Sequence, residues 1–182
     1  MDAVSKVEKS AQRKKQQSPS FLSVLVHPER CTGCGACERA CLAKRKGRDT
    51  PEGPAIKVIR AATDGAWAPL LCSVCPEAVC ARVCPGDALS RKRDFGPLTL
   101  REDRCASCSS CVLSCPFGVL HMGDRNQVPR PCDLCGGAPA CAKSCPTGAI
   151  ECIDPDGARS VGRVRASADR ITALLRETER PF

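Results

Sequence analysis

Sixteen of the seventeen cysteines in this chain fall into four groups of four, and in each group the last thiol follows its predecessor after three residues. Cys31, Cys34, Cys37 and Cys41 are spaced C-x2-C-x2-C-x3-C, and Cys105, Cys108, Cys111 and Cys115 repeat that spacing before Pro116. Cys72, Cys75, Cys80 and Cys84 widen the middle gap to x4 before Pro85, and Cys132, Cys135, Cys141 and Cys145 widen it to x5 before Pro146. Three thiolates on one tight loop can grip three corners of an iron–sulfur cubane, while a fourth beside a proline points away to the other cluster of a pair. The expectation is therefore four 4Fe-4S clusters with crossed ligation, and a chemistry of single-electron transfer. Proline pushes the preceding cysteine out of the α region and ends any helix begun at the third cysteine. Cys41 is followed by Leu42, so its helix can run on into Ala43 and Lys44.

The competing uses of so many thiols are weaker. Structural zinc sites split their ligands two and two across a long gap, whereas every group here is three plus one. A disulfide scaffold suits neither the crowded triples nor a chain without a recognisable secretory signal. Cys152 is left over; it follows Ala149 and Ile150 and reads as a buried inert thiol. His27 and His121 sit at expected strand ends with no carboxylate or serine arrangement in the sequence around them, so a structural role is expected for both. Arg82 and Lys143 lie inside cysteine motifs; each could raise a local reduction potential or simply face solvent.

The chain has 182 residues, with Trp67 and four phenylalanines as its large aromatics and no tyrosine. The apolar core must be thin, and cluster ligation would supply cross-links that side-chain packing cannot. The formal charge of +8 counts every thiol as neutral. Each oxidised cubane with four thiolates adds about −2, so a fully loaded chain is close to neutral. This removes the electrostatic case for nucleic acid, and no aromatic stacking platform accompanies the basic residues.

Short elements must carry the motifs. Phe21 to His27 reads as a strand ending at Pro28, and Ile56 to Arg60, Leu98 to Leu100, Val119 to Met122 and Ala149 to Glu151 are further candidates. Gly33, Gly35 and Gly136 would let backbone N–H groups approach sulfur closely. Residues 1–20 form a polar, lysine-rich arm without the apolar run of an export signal, and no stretch is long enough to span a membrane. Lys44, Arg45, Lys46 and Arg48 form a basic loop, either solvated or docked on an acidic surface. Near the end, Ser167 can cap a helix whose face carries Ala168, Ile171, Leu174, Leu175 and Thr178 and which Pro181 stops. That face would pack on the chain's own body or on another subunit.

The whole pattern, closing in Cys132-Asp133-Leu134-Cys135 and then Pro139-Ala140-Cys141-Ala142-Lys143-Ser144-Cys145-Pro146-Thr147-Gly148-Ala149-Ile150, resembles a known family over residues 21–152. It is similar to the four-cluster ferredoxin-type electron-transfer subunits of molybdenum and tungsten oxidoreductases such as dimethyl sulfoxide reductase and formate dehydrogenase, and of hydrogenases and carbon monoxide dehydrogenase. The compact fourth motif, with Gly136 and Gly137 after Cys135, looks closer to the small subunits of tungsten aldehyde oxidoreductases and tungsten benzoyl-coenzyme A reductases.

The resemblance implies an α+β fold of two nested ferredoxin-like units. An outer unit would comprise residues 21–60 plus 128–165, an inner one residues 61–127, with 1–20 as an arm and 166–182 as a C-terminal amphipathic helix. It also implies that Cys31, Cys34 and Cys37 hold a cluster with Cys145, and Cys132, Cys135 and Cys141 hold its neighbour with Cys41. Cys72, Cys75 and Cys80 would share a third with Cys115, and Cys105, Cys108 and Cys111 a fourth with Cys84. Spacing alone leaves pairing of the first motif with the second equally open. The implied role is a non-catalytic electron relay in a soluble cytoplasmic hetero-oligomer, with a free-standing polyferredoxin as the alternative. Its partners would be a catalytic tungsten or molybdenum pterin subunit and a second redox protein, such as a flavin subunit or ferredoxin, with no nucleic acid and no membrane insertion.

Overall fold

Three antiparallel strand pairs carry the cysteine loops. The computed structural model describes residues 23–45, 53–60, 65–72, 75, 77–91, 96–123, 128–153 and 158–177. Strand β1, Ser23–Val26, is buried at all four positions and pairs with β6, Ile150–Ile153, with Val24 opposite Cys152 and Val26 opposite Ile150. Between them lie the hairpin β2, Ile56–Arg60, with β3, Trp67–Leu71, and the short pair β4, Leu89–Arg91, with β5, Leu98–Leu100. The chain is thus a small mixed α/β structure of short elements.

The strands expected over 21–27, 56–60, 98–100 and 149–151 are present with small shifts, and Phe21 and Leu22 lie outside the described residues. Val119–Met122 is not a strand. Met122 makes a single bridge to Pro129, while Val119 packs into one apolar cluster and Leu120 into another. Extended residues alternate sides, and here both sides are used for packing instead of a ladder. β3 carries Pro69 in its interior, which ordinarily argues against a strand. A two-stranded sheet leaves each strand an outer edge, where a missing N–H costs no ladder bond.

Four helices each begin one residue before the third cysteine of a motif. Helix α1, Ala36–Arg45, is ten residues long, whereas α2, Val79–Arg82, α3, Ser110–Leu113, and α4, Ala140–Lys143, have four each. The three short ones stop just before a Cys-Pro step; α1, where Leu42 stands in place of proline, continues. Helix α1 packs against α4, and α2 against α3. The main apolar cluster mixes Val24, Ile56, Leu70, Phe117 and Ile150 with Cys37, Cys41, Cys72 and Cys141, so thiols occupy space that a larger protein fills with hydrocarbon.

Helix α5, Ala158–Glu177, is longer than expected and corrects the role of Ser167. Ser167 is not a cap but an interior residue, 2% exposed, on the face that presses Val164, Ala168 and Ile171 against β1. Its hydroxyl accepts a hydrogen bond from Val26 N–H at 3.0 Å and donates one to Val26 C=O at 2.8 Å. The outer edge of β1 would otherwise leave these two groups buried and unpaired. The helix thus packs on the chain's own body; the arm 1–20, Lys46, Arg48, Thr178 and Pro181 lie outside the described residues.

Candidate metal centres

The fold brings thiols of different motifs together. Cys31, Cys34 and Cys37 line one cavity together with Cys145, walled by Val58, Pro69 and Ile150. Cys105, Cys108 and Cys111 line a second with Cys84, closed by Leu89 and Met122. Cys41 and Cys135 lie close enough to Cys141 for their charges to raise its thiol, and Cys141 and Cys41 act likewise on Cys132. Cys115 acts in the same way on Cys72, Cys75 and Cys80. All seventeen cysteines are free thiols.

Burial dominates the chemistry of these sulfurs. It pushes Cys37 and Cys80 up to about 11 and Cys72 and Cys141 up to about 12. Burial also raises Cys132 well above its ordinary value, and the neighbouring Cys72 and Cys141 add to the rise. Such thiols stay protonated in neutral water until a cation takes the place of the proton. Neighbouring negative charge adds to the rise, so the sets suit a positively charged iron core that shares its charge among four ligands.

Backbone amides supply the complementary polarity. Ala55 N–H donates to Cys41 Sγ at 3.3 Å and Ala88 N–H to Cys84 Sγ at 3.2 Å. Cys145 is lowered: burial, which raises it, is outweighed by the Thr147 hydroxyl and the amides of Ile150, Thr147 and Ala149. Cys108, fully exposed, is lowered mainly by the Ser110 hydroxyl and then by the Ser110 amide. The cysteine loops achieve this with left-handed backbone, which turns successive N–H groups inward into anion-holding nests. Gly33 and Gly35 have φ of 73° and 66°, and Ser107 and Ser109 occupy the matching steps of the third motif at 54° and 60°. Gly136 also has positive φ, in company with Leu134 and Cys135. The expected glycines are thus joined by non-glycine residues in the same conformation, a feature hidden from residue type.

Several expectations need correction. His27 is not free of carboxylates: its Nδ1 lies 3.3 Å from Glu29 and its Nε2 3.0 Å from Glu151, in a network with Arg163 and Arg170 that ties β1 and β6 to α5. Glu151 arrives from the strand paired with β1, a proximity only pairing reveals. Cys152 is partly exposed instead of buried, and its thiol is raised by burial of the remainder, which leaves it a poor nucleophile. Arg82 is exposed and bonded to Glu77 at 2.6 Å, while Lys143 acts on Cys152. The cations beside the motif thiols are Arg91 and Arg45, which no motif spacing marks. Trp67 was likewise invisible as a site residue: its indole lies against Gly33 in the first cysteine loop, with the Arg60 guanidinium 5.8 Å from the ring centroid.

Residues 63–155, just over half the chain and holding the last three motifs, match the family described as the 4Fe-4S dicluster domain. The chain belongs to that family. Residues 24–41, around the first motif, match the 4Fe-4S binding domain. The polyferredoxin-like subunit of the aliphatic sulfonate oxidoreductase of Pyrococcus furiosus is 36% identical over 93 residues, which cover 51% of this chain and 53% of that protein. Hydrogenase-4 component A of Escherichia coli K12 is 35% identical over 97 residues, 53% of this chain and 45% of the relative. The electron transport protein HydN of the same strain is 32% identical over 106 residues, 54% and 58%. The chain spans about half the length of these relatives. It carries 4Fe-4S domains of ferredoxin type, and among the described residues no helix is long and apolar enough to cross a membrane.

Proposed function

We propose that this chain is the non-catalytic electron-relay subunit of an oxidoreductase complex, with four 4Fe-4S clusters held by its four cysteine sets. In this reading Cys31, Cys34, Cys37 and Cys145 bind one cluster, and Cys132, Cys135, Cys141 and Cys41 its neighbour. Cys72, Cys75, Cys80 and Cys115 bind the third, and Cys105, Cys108, Cys111 and Cys84 the fourth. When bound, each cluster takes up and releases a single electron without making or breaking a substrate bond. The chain's part is to hold thiolates at the iron, aim loop amides at sulfur and keep water away from the buried sets. The observation that carries the reading is that thiols from the first and fourth motifs line one cavity while thiols from the second and third line another. The pairing of β1 with β6 around the rest supports nested units, the outer from 21–60 plus 128–165 and the inner from 61–127.

The order of the sets supports a relay. Cys37 acts on Cys141, so the first set adjoins the second. The Cys132 amide hydrogen-bonds the Cys72 sulfur, joining the second to the third. Cys111 and Cys115 share α3 and its C-terminal turn, joining the third to the fourth. The partner we favour is a catalytic tungsten or molybdenum subunit, with a ferredoxin or flavin subunit at the other end. The family resemblance of the compact fourth motif supports this choice, and the oxidoreductase-subunit name of the Pyrococcus relative supports membership of an oxidoreductase complex. A hydrogenase complex is the second reading, supported by the similarity to hydrogenase-4 component A.

Anaerobic purification with iron, zinc and acid-labile sulfide analysis tests the relay: about sixteen iron atoms per chain are expected from four cubanes. Four zinc, or eight iron after anaerobic reconstitution, would overturn it. Cys115→Ser and Cys75→Ser should disturb the same paramagnetic-resonance signal, and disturbance of different signals refutes the pairing. Mass spectrometry of the intact complex, with metal analysis of the co-purified subunit, distinguishes the partners.

A further inference from the structure

Arg91 ends β4, outside every cysteine motif, yet its side chain reaches into the third set. Its Nη1 donates to Cys75 C=O at 2.7 Å, which ties the strand to the cysteine loop. Its positive charge acts on Cys72, Cys75 and Cys80, three of the four thiols that meet there. Its Nε is buried and has no hydrogen-bond acceptor among the described residues. A buried N–H on a charged group is costly to leave unpaired. This one lies among sulfurs, where a bound cluster would bring acceptor sulfur.

The other cations differ. Arg45 acts on Cys41 and spends its two terminal nitrogens on the carbonyls of Arg130 and Pro131. Arg82 is exposed and paired with Glu77. Arg91 is half-buried, and a partly buried charge is screened less than a solvated one. One-electron reduction adds one negative charge to a cluster and its thiolates, from about −2 to about −3, with no proton required. A fixed cation stabilises the more negative state more.

We propose that Arg91 is a positioning residue that raises the reduction potential of the cluster held by Cys72, Cys75, Cys80 and Cys115. This rests on the reading that those four thiols bind a cluster. The test is a potentiometric titration, followed by paramagnetic resonance, of the full chain reconstituted anaerobically as wild type, Arg91→Gln and Arg91→Lys. In Arg91→Gln one midpoint should fall, lowering the ratio of reduced to oxidised cluster at the wild-type midpoint about tenfold, while the other three stay in place. Arg91→Lys, which keeps the charge, should recover most of the shift. Four unmoved midpoints in a fully loaded Arg91→Gln, or equal shifts in Lys and Gln variants, overturn the proposal. If Arg91→Gln loses a cluster, retention of that cluster in Arg91→Lys with an unmoved midpoint supports the charge role. Loss in both overturns it in favour of a mere anchor. A wild-type chain that binds no iron would instead overturn the relay itself.

Discussion

Replacing Ser167 with alanine removes one oxygen atom from the seam between α5 and β1, and its cost can be worked from the contacts. Ser167 is 2% exposed and Val26 is 1% exposed, so water cannot take over either lost hydrogen bond. Leaving Val26 N–H and C=O unpaired costs about 1–3 kcal/mol for each group, with the carbonyl at the lower end. Alanine regains about 0.5 kcal/mol of helix propensity over serine. The net is about 2–3 kcal/mol, which corresponds to a ~30- to 150-fold fall in protection of the Val26 amide against hydrogen exchange. The assay is native-state exchange on the reconstituted protein, read by mass spectrometry on a peptide containing β1. Thr172→Ala is the control, because among the described residues that hydroxyl bonds only the Ala168 carbonyl of its own helix, at 2.9 Å. β1 feeds through the turn Pro28–Arg30 directly into Cys31, so Ser167→Ala should also speed loss of iron to a chelator. Exchange at Val26 within threefold of wild type refutes the reasoning.

Gly33→Ala should cost more than an ordinary glycine replacement, because its φ is 73° and the added methyl runs into the Trp67 indole. About 2–3 kcal/mol and loss of roughly four iron atoms are expected from strain plus collision, checked by iron analysis and by the emission of the single tryptophan. Ser109→Gly should do the reverse, stabilising the third-motif loop by up to ~1 kcal/mol because its φ of 60° suits glycine; slower iron release would show it. Cluster loading should rise between pH 7 and pH 9, since thiols pushed up to about 12, such as Cys72, must give up protons to bind iron; a flat yield of acid-labile sulfide would contradict this. Glu151 is held below its ordinary value of 4.5, first by the hydrogen bond from His27 and also by Arg163, against a smaller opposing effect of burial. A depressed carboxyl stabilises the fold above its unfolded value and loses that contribution as pH falls through its folded one. Glu151→Gln should therefore loosen α5 at pH 7 by under ~1 kcal/mol, the pair being partly exposed. The gap from wild type should close toward pH 4, as hydrogen exchange in α5 would record.

The grouping of the cysteines into loops was legible in the chain because such loops are local. Spacing within ten to fourteen residues decides which thiols share a loop, and Pro85, Pro116 and Pro146 decide where each short helix stops. Local too were the strands with strong β-branched runs and the extension of α1 past Cys41. The pairing of α1 with α4 and of α2 with α3, which lays Cys145 beside the first loop and Cys84 beside the third, is a long-range outcome that spacing left open. β3 and β4 escaped notice because one carries a proline and the other is a single leucine followed by the polar Ser90 and Arg91. What only tertiary structure decided is which groups surround each sulfur. Arg91 reaches Cys75 across the fold, His27 meets Glu151 through strand pairing, and Ser167 is an edge seal because β1 runs beneath it. Electrostatics and hydrogen bonding depend on distance in space, and sequence separation carries little of that distance once the chain has folded back on itself.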